Sequence, residues 1–134
     1  MTRAIEDEVR SRAANLCEYC RVPESAFRLP FEIDHIIAKQ HGGVSSVENL
    51  ALCCHRCNRN KGPNVGGIDP DTGNLTSLFH PRKDRWSDHF RWNGAVLLGI
   101  TNVGRTTAYV LAINDLLRIA LRESLIVEKI FPPK

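Results

Sequence analysis

A chain of 134 residues with a net charge of +3 is sized for one ordinary domain, and so small a charge does not by itself establish a nucleic-acid partner. Hydrophobic residues make up 43% and charged residues 25%, which excludes a disordered or fibrous chain. The lack of a long uncharged apolar run, and of an apolar stretch after Met1, argues against a membrane helix, a membrane partner or a secretory leader; the expected setting is cytoplasmic and reducing.

In chain order, Ile5, Val9, Ala13 and Leu16 recur at helical spacing, predicting an amphipathic helix over residues 2–16 with Thr2 as N-cap. Cys17 to Cys20 then read as a tight knuckle. The alternating, β-branched run at 31–37 predicts a strand, 41–46 a loop, and 49–53 a second short apolar run. A short helix is expected from Cys54 to about Lys61, with Gly62 ending it and Pro63 preventing its return. Beyond it, Asp71-Thr72-Gly73-Asn74 closes a small hairpin. Asn93-Gly94 closes another between residues 89–92 and 95–98. Residues 105–130 are helical in character, with a break at Asn114 and Asp115 capping a second helix. Tyr109, Val110, Leu111, Ile113, Leu116, Leu117, Ile119 and Leu121 make this part apolar nearly all round. The expectation is a buried helix, completing a monomer core or forming a homodimer interface.

Two CxxC pairs, Cys17/Cys20 and Cys54/Cys57, carry the strongest chemical signal. Four soft thiolates, two from each tight turn, suit a closed structural zinc site. Cys53 is the odd thiol, expected to pack as a small apolar residue. The segment between the pairs contains Asp34-His35, and Asn58 follows Cys57 directly. Carboxylate, imidazole and carboxamide together suit a hard, open cation site, with Mg²⁺ or Mn²⁺ as the catalytic ion. Imidazole is the side chain most often used as a general base near neutral pH, which makes His35 the candidate base for phosphodiester hydrolysis. Adjacent strand residues point to opposite faces, so Asp34 and His35 can share one site only where the strand ends, twists or bulges.

The run Glu32-Ile33-Asp34-His35, Gly42-Gly43, Glu48-Asn49-Leu50 and Cys54-x-x-Cys57-Asn58-x-x-Lys61-Gly62 resembles the HNH endonuclease family. The resemblance implies an α+β fold: a zinc-stapled ββα-metal core over residues 1–62, with a C-terminal β-hairpin and helical extension over 63–134. It implies a DNA endonuclease acting on double-stranded DNA by a one-metal mechanism. His35 would be the base, Asn49 an orienting residue, and Asp34 and Asn58 the ligands of the catalytic ion. Products would carry 5′-phosphate and 3′-hydroxyl ends. Arg56, Arg59 and Lys61 on the metal-bearing helix are candidate phosphate contacts, or simply a solvated face. The alternative is a non-catalytic zinc-ribbon module that binds nucleic acid.

Overall fold

In the computed structural model, which describes residues 1–133, Thr2 Oγ1 accepts a hydrogen bond from Ile5 N at 3.2 Å and opens helix α1 (Arg3–Arg12). The helix stops short of the expected end. Ala14 and Asn15 take φ values of 54° and 57°, a left-handed turn that aims the chain into the cysteine knuckle.

Strands β1 (Glu32–His35) and β2 (Leu50–Cys53) then pair antiparallel, with Glu32 opposite Cys53 and His35 opposite Leu50. Every residue of β2 is buried, as its unbroken apolar run requires. Helix α2 (His55–Lys61) follows directly: Cys54 Sγ accepts from Cys57 N at 3.4 Å and serves as its N-cap. Gly62, with φ of 52°, ends it. The expected order of strand, loop, strand and helix is therefore present.

The second half adds β3 (Gly66–Ile68) paired with β4 (Leu75–Ser77) across the Asp71–Asn74 turn, and a one-turn helix α3 (Trp86–His89). Strands β5 (Phe90–Asn93) and β6 (Val96–Gly99) form another hairpin, before helices α4 (Asn102–Val110) and α5 (Leu116–Val127). Asn93 pairs with Val96, so the turn residues are Gly94 and Ala95, one position later than expected. Ala95 is buried and its carbonyl accepts from Arg122 Nε at 2.7 Å, which holds it inside the turn.

The expectation that the last helix is apolar and buried is corrected. Asp115 does cap α5, accepting from Leu117 N and Arg118 N, but Leu116, Leu117 and Val127 are 84%, 74% and 81% exposed. Its buried residues are Arg118, Arg122 and Leu125. The inward face meets carbonyl oxygens and sulfur atoms, which require donors rather than leucines. Arg122 donates to Ala95 O and Ile113 O and lies over the Trp92 ring at 5.4 Å.

The aromatics of residues 79–92 are packing groups. Phe79 and Phe90 are buried, Trp86 stacks on Phe90 and Trp92, and Trp86 Nε1 donates to Tyr19 O at 2.9 Å. One apolar cluster draws on both halves of the chain, from Val9, Leu50 and Cys57 to Leu97, Leu111 and Leu125. No helix among the described residues is long and apolar enough to cross a membrane.

Candidate functional site

The sulfur atoms of Cys17, Cys20, Cys54 and Cys57 all lie within 4.8 Å of one another and are buried. Zinc–sulfur bonds of about 2.3 Å in a tetrahedron set sulfurs a little under 4 Å apart, and Cys20 and Cys54 sit at 3.7 Å. The four cysteines therefore fit a structural zinc ion. The backbone N–H of Cys20 points at Cys17 Sγ, and that of Cys57 at Cys54 Sγ, at 3.5 and 3.4 Å. Cys53 is buried and outside the set.

A residue that the sequence did not flag completes this centre. Arg118 is 6% exposed, and its Nη2 donates to Cys57 Sγ at 2.9 Å, with Cys54 Sγ at 3.8 Å. Its Nη1 donates to Leu111 O at 2.7 Å. Burial by itself would loosen the guanidinium proton. The sulfur charges of Cys57, Cys20 and Cys54 outweigh it and hold the group charged.

The zinc set fixes the start of α2 against the β1–β2 hairpin, where the other candidate residues lie. Asn49 joins the two ends of the intervening loop. Its Oδ1 accepts from Ile37 N, and its Nδ2 donates to Ile37 O and Val44 O, each at 2.9 Å. Gly43 passes so close that a Cβ there would stand 1.7 Å from Ile37 O and 2.9 Å from Asn49 Nδ2. The loop so held presents Ser45, whose Oγ lies 2.9 Å from His35 Nε2. His35 is partly exposed at the last position of β1, where the chain leaves the sheet.

Residues 17–64 match the HNH endonuclease family. The HNH segment thus takes in the knuckle, the hairpin and α2, the elements that position Asn49 and His35. A curated relative, the Septu protein PtuB of Bacillus thuringiensis, is 29% identical over 114 residues, covering 84% of this chain and 42% of that protein. This chain spans less than half the length of the relative. No solved structure gives a significant match.

Within the HNH segment, Asp34 and Asn58 each take other partners in this structure. The strand stays in regular register through both Asp34 and His35, and the two side chains find different partners. Asp34 is 6% exposed; its Oδ2 accepts from the Tyr19 hydroxyl at 2.9 Å and lies 3.2 Å from Lys61 Nζ. Burial pushes the Asp34 carboxyl up from its ordinary range, and Lys61 and Tyr19 pull it partly back. Asn58 meets Glu32 instead. In this structure the Asp34 carboxylate is matched by a buried ammonium, and the Asn58 carboxamide by a carboxylate.

The same ion pair corrects one candidate phosphate contact. Lys61 is 1% exposed, its Nζ shared between Asp34 and the carbonyl of His35, and it does not reach a DNA backbone. Arg56 is held by Asp115 at 2.7 Å, while Arg59 stands exposed. Glu32, two residues before Asp34 on β1, shares that residue's face and meets Asn58.

Proposed function

We propose that this protein is an HNH-type DNA endonuclease that hydrolyses phosphodiester bonds with His35 as general base. The observation that carries the reading is the mounting of His35. Its imidazole is partly exposed at the hairpin's end, and one ring nitrogen is oriented by Ser45 on a loop that Asn49 holds shut. A ring fixed by one nitrogen leaves the other to take a proton from an attacking water. The family match over residues 17–64 supports the same chemistry. Arg59, exposed on α2, supplies a cation for the DNA backbone.

A second reading, a zinc module that binds nucleic acid without cutting it, is favoured by the burial of Asp34 beneath Lys61. Incubating supercoiled plasmid with the protein and Mg²⁺, Mn²⁺ or EDTA separates the two. The enzyme nicks only with a divalent ion, and His35→Ala loses nicking while keeping its zinc. The binding module retards the plasmid on a gel and leaves it intact in every condition.

A further inference from the structure

We propose that Cys20 is the reactive thiolate of the four-cysteine centre, alkylated by small, neutral α,β-unsaturated carbonyl compounds that reach it through the cavity between the knuckle and α5. The proposal rests on the fit of the four cysteines to zinc and is independent of the nuclease reading.

Two separate observations single out Cys20. The first is hydrogen bonding. Cys17 Sγ accepts from Cys20 N at 3.5 Å, Cys54 Sγ from Cys57 N at 3.4 Å, and Cys57 Sγ from Arg118 Nη2 at 2.9 Å. Among the described residues, no N–H donates to Cys20 Sγ; its neighbours are the other sulfurs of the set, Cys54 Sγ at 3.7 Å among them. Each donor draws charge from the sulfur it meets, so Cys20 keeps the most nucleophilic lone pairs of the four.

The second observation is space. A cavity of about 270 Å³ is walled by Cys20, Cys54, Val22, Phe27, Leu117 and Leu121. A close-packed interior leaves no room for added atoms on a sulfur, and this cavity supplies it. Cys20 is 1% exposed, so a reagent comes to it through the cavity and not from the open surface. The arginines that border the cavity are already engaged, Arg56 by Asp115, Arg118 by Cys57 and Arg122 by Ala95 O. What remains is an apolar wall, which favours a neutral reagent over a charged one. Cys54 shares the wall, but its sulfur already accepts from Cys57 N and has Arg118 Nη2 at 3.8 Å.

In the reaction, a lone pair of Cys20 Sγ forms a bond to the β-carbon. The C=C π pair moves to the α-carbon, which takes a proton from water. The product is a neutral thioether in place of a thiolate, and thiolates are what the metal requires. Alkylation therefore frees the knuckle from the start of α2.

The test treats the zinc-loaded full chain with N-ethylmaleimide over a range of concentrations. Initial rates of zinc release are read with a chelating dye. The first adduct, formed with less than one equivalent and quenched in acid, is placed by tandem mass spectrometry. The expected result is a first adduct on Cys20 and a release rate proportional to maleimide concentration. Leu117→Ala removes an exposed part of the cavity wall without touching a zinc ligand, and should raise the rate by about threefold. A first adduct on Cys17, Cys53, Cys54 or Cys57 overturns the assignment, as does a chain that does not react. A rate independent of maleimide concentration also overturns it, since zinc would then leave before any sulfur reacts. A Leu117→Ala rate equal to the parent's overturns the route through the cavity.

Discussion

The guanidinium of Arg118 lies 2.9 Å from the sulfur of Cys57, joining the last helix to a cysteine 61 residues earlier. A four-thiolate zinc centre carries a net charge of about −2, and a buried cation beside it offsets part of that charge. Charge-assisted hydrogen bonds are worth about 1.5–3 kcal/mol each. Arg118→Met is expected to surrender zinc to a colorimetric chelator about tenfold faster or more. Arg118→Lys recovers only part of the loss, because an ammonium cannot reproduce the fork to sulfur and Leu111 O. An unchanged release rate in Arg118→Met would place the arginine outside the zinc centre's energetics.

Lys61 and Asp34 form a buried pair, with side chains 2% and 6% exposed. Removing one partner leaves a bare charge inside, at a cost of about 3–5 kcal/mol. Lys61→Met should lose that much in urea unfolding, and Lys61→Met with Asp34→Asn should recover most of it. A double variant as unstable as the single one would show that the two charges are not coupled.

Asp69 is gripped by both ends of the Arg105 guanidinium, at 3.2 and 2.8 Å. The hydrogen bonds from Arg105, then the Asp71 backbone N–H, hold its carboxyl down to about 2. A depressed acid binds fewer protons folded than unfolded, so its contribution is complete above the ordinary aspartate value of about 3.9 and is lost as pH falls toward 2. The stability of the parent chain should drop more steeply than that of Arg105→Met as pH falls below about 5. The comparison is a difference between two zinc-loaded proteins, which cancels their shared response at the thiolates. Parallel pH curves would refute it.

Asn49 makes three hydrogen bonds that close the loop bearing Ser45. At about 1 kcal/mol each, Asn49→Ala should cost roughly 2–3 kcal/mol. Hydrogen exchange should accelerate at the Ile37 amide, and nicking should fall with zinc content unchanged. Protection at Ile37 equal to that of the parent chain would contradict this account.

How much of this was legible differed with the range of each interaction. The knuckle, the hairpin, and α2 running from its Cys54 cap to Gly62 all follow from local signals: paired cysteines, a two-residue alternation, a glycine at a helix end. The Asp115 cap was legible for the same reason. Arg118 was not, since nothing around it in sequence announces that its helix ends against thiolates. The leucines of α5 misled because composition reports how apolar a helix is, not which side the rest of the molecule can satisfy. Asp34 was read through its neighbour His35, although strand alternation pairs it with Glu32, and its partner Lys61 lies on another element.

Residue 43 has no room for even a methyl group where it crosses Ile37 O, while Val44 beside it is 61% exposed. An engineer wishing to graft a recognition peptide next to His35 can enter at the crown of the loop, at exposed Val44. The crossing beneath it admits no side chain, so an insert there would ride on a neck already clamped by Asn49, and the frame around the imidazole would be spared.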